Sequence, residues 1–244
     1  MEFYQQVIAS LLEAGIPWLV GGAFALRHYT GIHRDTKDLD LFLLAADQER
    51  AMNRLAREGY RTEWTAPHWL TKIRDGGHYV DLIFGLANGS GKVTPSWFER
   101  SVPGRALERN VRLIPMEEMI WSKGFIMDRD RFDGADIYHL LLAGADSLDW
   151  NHLLALFGPH GAVLLSHLIL FGYVFPAERG RVPAWVIDRL WQQCREDPAA
   201  GRRPELCRGT LLSRSQYEFD LQRRGCADAR LLPHGTLTAL QAAQ

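Results

Sequence analysis

Apolar positions follow two regimes along this chain. Up to about residue 114, short apolar runs are punctuated by glycine and proline. Beyond that point apolar residues recur at three- and four-residue intervals. Phe3, Val7, Ile8, Leu11 and Leu12 trace one helical face, stopped by Gly15. Residues 18–20 read as a strand that ends at Gly21-Gly22, a helix follows to about Thr30, and a second strand opens at Asp38. Residues 47–58 predict an amphipathic helix closed by Gly59. Residues 60–65 and 68–73 predict two antiparallel strands joined through Ala66-Pro67. Asp75-Gly76-Gly77 is a tight-turn signal leading into a buried strand from His78. Residues 87–92 form a polar loop, residues 111–114 a short strand, and Pro115 suits the first turn of a helix.

From Pro115 the period is helical over residues 116–128, 132–143, 150–157, 161–175 and 183–195. Three parts are therefore expected: an α/β part at 1–114, a helical part at 115–197, and a tail at 198–244. The tail is rich in Pro, Gly and Arg at its start and weakly periodic after it, and is expected to be extended or partly disordered. The apolar run 162–175 contains Ser166, His167 and Gly172 and is read as a buried helix rather than a membrane span.

The chemistry concentrates at Asp38, Asp40 and Asp81. Side chains two apart on a strand share a face, so Asp38 and Asp40 point the same way. Asp81 is the one acid in the apolar run Val80 to Phe84. Buried carboxylates need a partner, and a divalent cation is the simplest one for two or three together. Gly21-Gly22 ahead of a helix offers bare backbone N–H groups and a positive helix end, which suit phosphate. Phosphate beside a carboxylate-held metal describes phosphoryl or nucleotidyl transfer.

Gly21-Gly22, then Arg34, Thr36, Asp38 and Asp40 at alternate positions, then a lone strand Asp81, resembles the DNA polymerase β-type nucleotidyltransferase superfamily. Within it the chain is most similar to small bacterial members, the antibiotic-modifying enzymes and the toxin-type transferases of abortive-infection systems. The likeness covers roughly residues 16–145. It implies an α/β (α+β) fold class, a mixed sheet with flanking helices followed by a C-terminal helical bundle. It implies Mg²⁺ or Mn²⁺ held by Asp38, Asp40 and Asp81, which are also the expected catalytic residues. Nucleotide contacts are implied for Gly21, Gly22, Arg34, Thr36, Lys37 and Lys123. Lys123 maps onto a helix lysine that faces the nucleotide phosphates in those families, with Asp133 and Asp136 on the helix that packs beside it. Read by themselves, Asp133 and Asp136 are helix-start acids. One departure is Gly22 followed by Ala23, where many members carry serine after the first glycine.

Composition narrows the partners. The 244 residues carry a net charge of −1, which gives no global basic signature for nucleic acid. Arg100, Arg105, Arg109 and Arg112 form a local basic cluster. Cys194, Cys207 and Cys226 have no zinc-type spacing, and the cytoplasm is the expected compartment. His78, three positions from Asp81, lies on the opposite strand face and reads as structural; Trp64 and Trp69 read as packing residues, with stacking on an acceptor or base as the alternative. The expected reaction moves a nucleoside monophosphate from a triphosphate such as ATP, CTP, GTP or UTP to an acceptor hydroxyl, with release of pyrophosphate. A small-molecule acceptor is expected ahead of tRNA or protein. The reading of another class is a non-catalytic nucleotide-binding module.

Overall fold

A computed structural model describes residues 2–199, 201 and 205–243. The chain divides into two compact units, Met1–Pro115 with Leu231–Gln244, and Met116–Arg230.

The first unit opens with α1 (Glu2–Glu13), β1 (Leu19–Val20), α2 (Gly22–Thr30), β2 (Asp38–Phe42) and α3 (Gln48–Arg57). Then follow β3 (Arg61–Ala66), β4 (Leu70–Asp75), β5 (His78–Ile83), α4 (Pro95–Arg100), β6 (Val102–Ala106) and β7 (Arg109–Leu113). The seven strands form one sheet in the order β3-β4-β5-β2-β1-β7-β6. It is mixed, because β2–β5 and β1–β7 pair parallel and the remaining neighbours antiparallel. Leu39, Leu41, Val80, Leu82 and Ile73 are fully buried on the sheet, as are Val7, Ile8 and Leu11 of α1 and Leu55 of α3. Helices α1 and α3 pack on each other and reach β5 and β3 respectively, so their apolar stripes close this face. The alternate positions of β2 and β5, which carry the acids, are thereby turned to the other face.

Helix α4 and strand β6 lie between residues 93 and 110, where the sequence pattern gave no element. Strand β6 holds Pro103 and Gly104, tolerable because it is the sheet's edge. Its hairpin with β7 turns on Leu107 and Glu108, both at positive φ (51° and 63°). Hairpin turns of that handedness normally advertise themselves with Gly or Asn, and this one does not.

The second unit contains α5 (Met116–Gly124), α6 (Gly134–Gly144), α7 (Trp150–Phe157), α8 (Gly161–Val174) and α9 (Ala184–Arg195). Helix α5 packs on α6, α7 and α8, and α8 packs on α9. Met119, Ile120, Leu140, Leu141, Leu153, Phe157, Leu164 and Phe171 fill the bundle core. The run Trp150–Val174 is long and apolar enough to cross a membrane by length and composition. Within it, α8 buries one face, as the buried-helix reading has it, and exposes the other: Leu164, Leu165, Leu168 and Phe171 face the core, while Ile169, Leu170, Tyr173 and Val174 are exposed.

The tail expected to be extended contains regular structure. Strands β8 (Leu206–Cys207) and β9 (Ala227–Asp228) pair parallel, with α10 (Arg214–Arg223) between them. Its end returns to the first unit, where Leu237 packs on Gly89 and the Thr236 hydroxyl donates to the Gly89 carbonyl; α11 (Ala239–Ala243) follows. Charge pairing rather than apolar period organises much of this segment, which is why periodicity passed over it. Arg208 pairs with Asp197, Arg224 with Glu205 and Asp220, and Arg230 with Asp228.

Candidate active site

Strands β2 and β5 run parallel with Asp40 opposite Asp81, and Asp38 one pleat away opposite Tyr79. The register places three carboxylates on one patch of sheet: one oxygen each from Asp38, Asp40 and Asp81 lies within 4.8 Å of the others. Asp81 is buried and Asp40 half-buried. The Thr36 hydroxyl donates to the Asp38 carboxylate, and the Asp38 N–H bonds back to that hydroxyl oxygen at 3.4 Å. The loop entering β2 is thus pinned to the first acid.

The glycine pair is needed for two separate close approaches. The Gly21 N–H donates to the Asp40 carbonyl at 3.0 Å, and a Cβ on Gly21 would stand 2.3 Å from the Phe42 ring. Gly22 has φ +53°, and its Cβ would stand 1.7 Å from Asp40 Oδ2. No side chain caps α2 at Gly21, and the helix closes with Gly31 in the left-handed conformation. The first amides of α2 therefore begin against the Asp40 carboxylate, with no cap from the N-cap residue itself. A Cβ at position 22 has no room on this backbone.

Lys72, Arg74 and Tyr79 extend the acid patch along the sheet and were not singled out from the sequence. Lys72 stands directly opposite Asp81 in the β4–β5 ladder, and its Nζ lies 2.7 Å from each carboxylate oxygen. Arg74 lies over the Tyr79 ring at 4.8 Å and bonds Glu63 on β3 at 2.7 Å. A signal for Lys72 did exist. The two-residue turn Gly76-Gly77 pairs Asp75 with His78, and counting back three positions on β4 and forward three on β5 pairs Lys72 with Asp81. Burial pushes the Asp81 carboxyl above its ordinary value. The Lys72 ammonium pulls against that shift, and the Asp38 charge adds to it.

The remaining sequence candidates lie on other elements. Arg34 and Lys37 are exposed on the loop before β2, and the Lys37 carbonyl accepts from Tyr79 N–H at 3.0 Å. Lys123 belongs to the second unit. There its ammonium is shared by Asp133 at 2.7 Å and Asp136 at 2.8 Å, with all three side chains at or below 13% exposure. Asp133 stands at the N-cap of α6, yet its side chain makes no capping bond and goes to Lys123 and Arg131 instead. Both acids stand at the start of α6, as the sequence reading has it, and their carboxylates go to Lys123. His78 Nδ1 lies 3.3 Å from the Tyr4 hydroxyl, a packing contact on α1. Of the arginine cluster, Arg112 is folded back onto the Ser101 hydroxyl at 2.9 Å and the Ser101 carbonyl. Trp64 is 52% exposed at the β3 edge rather than packed.

Three convergent carboxylates form a hard oxygen donor set of the kind Mg²⁺ and Mn²⁺ take. At an effective dielectric of ~20, unit charges at such separations repel by on the order of 3 kcal/mol per pair. The Lys72 ammonium offsets the Asp81 charge. The donor set thus fits a divalent ion.

No protein-family model matches this sequence, and no curated protein matches it. Among solved structures the chain is similar to the antibiotic-resistance factor ANT(2'')-Ia in solution, at 20% identity over 67% of this chain and 94% of that one, TM-score 0.47. It is similar to the lincomycin-bound lincosamide antibiotic adenylyltransferase LnuA, at 17% identity over 58% and 95% of the two chains, TM-score 0.41. It is also similar to an antigenic nucleotidyltransferase-like protein from Paracoccidioides brasiliensis, at 16% identity over 72% and 88%, TM-score 0.41.

Proposed function

We propose that this chain is a metal-dependent nucleotidyltransferase that moves a nucleoside monophosphate from a triphosphate to an acceptor hydroxyl. One observation carries the reading: three carboxylates from two paired strands converge beside the N-terminus of a helix that a glycine pair holds against one of them. In this reading Asp38, Asp40 and Asp81 hold Mg²⁺ or Mn²⁺, which supplies charge neutralisation for the triphosphate and the in-line displacement. Gly21 and Gly22 bring the first amides of α2 to the phosphates, with Arg34 and Lys37 adding positive charge from the loop before β2. Thr36 holds Asp38 in place.

The acceptor oxygen attacks the α-phosphorus, the bond from that phosphorus to the bridging oxygen breaks, and pyrophosphate leaves with the electron pair. The acceptor proton passes to the Asp81 carboxylate. Positioning and charge neutralisation supply the rest of the rate. Lys123 enters as structure, because two carboxylates already neutralise its ammonium.

A small-molecule acceptor is favoured by the net charge of −1 and by the engagement of Arg112 with Ser101, which thins the local basic face. The test is pyrophosphate release with Mg²⁺ and each triphosphate, supplied with either the low-molecular-weight or the macromolecular fraction of a cell extract. Release with the small-molecule fraction supports the proposal. Release confined to the macromolecular fraction transfers the acceptor to tRNA or protein, and nucleotide binding without release in either fraction indicates a non-catalytic module.

A further inference from the structure

We propose that Lys72 is a resident counter-cation that competes with the divalent ion for Asp81 and so sets how tightly the acid cluster takes metal. The inference rests on the metal-binding reading of that cluster given above.

The Lys72 Nζ sits 2.7 Å from both oxygens of Asp81, with side-chain exposures of 22% and 11% for the pair. An ammonium placed between the two oxygens occupies the positions from which a carboxylate ligates a cation. The backbone does not move it away. Strands β4 and β5 pair without a break from Leu70 opposite Ile83 to Asp75 opposite His78, so Lys72 is locked opposite Asp81. The side chain above Cα is long and flexible, and a second resting place is at hand. Nζ lies 5.7 Å from the centroid of the Tyr79 ring, and Glu63 stands directly across from Lys72 on β3. Displacement of the ammonium by an ion therefore exchanges one favourable contact for another rather than stranding a charge. The ion must still displace a charge-assisted contact, and its apparent affinity falls by that amount. In the ladder β1 and β5 supply the strand neighbours of Asp38 and Asp40, and Lys72 stands opposite Asp81.

The test is titration of the full-length protein with Mn²⁺ alone, followed by calorimetry and by the Mn²⁺ electron-spin signal, with no nucleotide and no turnover. Lys72→Met and Lys72→Gln should bind Mn²⁺ at least about tenfold more tightly than wild type. Either variant suffices if the other folds poorly, with thermal unfolding as the check. Lys72→Arg, which keeps a two-pronged donor on the carboxylate, should stay at or below wild-type affinity. In an Asp81→Asn background the Lys72→Met gain should disappear, which assigns the effect to this pair rather than to net charge. A lysine with a merely structural role gives the opposite sign, a weaker metal site once removed. Wild-type Mn²⁺ binding that Asp38→Asn abolishes, with Lys72→Met and Lys72→Gln no tighter than wild type, overturns the competition and leaves the metal reading standing. Absence of Mn²⁺ binding in wild type and in both lysine variants overturns the two together.

Discussion

Asp38 and Asp40 share one strand face with Asp81 within reach, so each negative charge is held against the others in the metal-free protein. Replacing one of the pair by its amide relieves that repulsion while keeping the shape. Asp38→Asn or Asp40→Asn should therefore unfold, in the presence of a chelator, at or above the wild-type temperature; a clear drop would mean the acids are structural. The second unit behaves oppositely. Asp133 is half-buried, which alone raises its proton affinity, but the Arg131 hydrogen bond and the Lys123 charge outweigh burial and hold it below its ordinary value of 3.8. A depressed folded value contributes stability that is complete above the unfolded value. That stability is lost as pH falls through the folded one. Asp133→Asn should lower stability at pH 7 by roughly 1–3 kcal/mol. Denaturant titrations between pH 2 and pH 7 should also show a shallower acid limb in the variant, and identical limbs would remove Asp133 from the ion cluster. At this scale the sequence was partly legible. Asp38, Asp40 and Asp81 stood out because acids in apolar strands need a partner. Lys72 did not, because its importance lies in strand register; Asp133 was legible as a helix-start acid but its lysine partner was not, because helix starts favour Asp whatever its side chain bonds.

The element that decides the site is the turn between β1 and α2. Its two glycines are required for different reasons, the Phe42 ring at Gly21 and both the positive φ and the Asp40 carboxylate at Gly22. Gly22→Ala should cost at least about 1 kcal/mol from backbone conformation alone, and it should displace Asp40 as well. Urea unfolding together with Mn²⁺ titration checks this, and a variant equal to wild type in both would show that the turn has slack. The strand–turn–helix–strand order around this turn was readable because glycine and period change coincide there. The β6–β7 hairpin was not, since Leu107 and Glu108 adopt positive φ without a glycine to announce it, and β6 carries Pro103 and Gly104. Packing, not local preference, holds that hairpin: Leu113 and Leu107 are buried.

Over the whole molecule, the first unit is closed by the chain's two ends, with residues from Leu231 onward belonging to it rather than to the unit that precedes them. Leu237 is 4% exposed against Gly89, and Thr236 bonds the same turn. Ending the chain at Arg230 should destabilise the first unit by at least the roughly 1.5–3 kcal/mol of one buried leucine. Hydrogen exchange in that unit reads the effect, and unchanged protection around Gly89 would show that the return segment contributes nothing. This return was invisible to periodicity because a few contacts in an irregular segment leave no repeating pattern. The most direct measurement of the central claim is transfer of label from four α-labelled nucleoside triphosphates, with Mg²⁺ and cell extract, by wild type and Asp38→Asn. The account predicts a labelled acceptor and pyrophosphate with wild type and neither with the variant. Label transfer undiminished in Asp38→Asn, or none from any of the four nucleotides with the wild type, would contradict it.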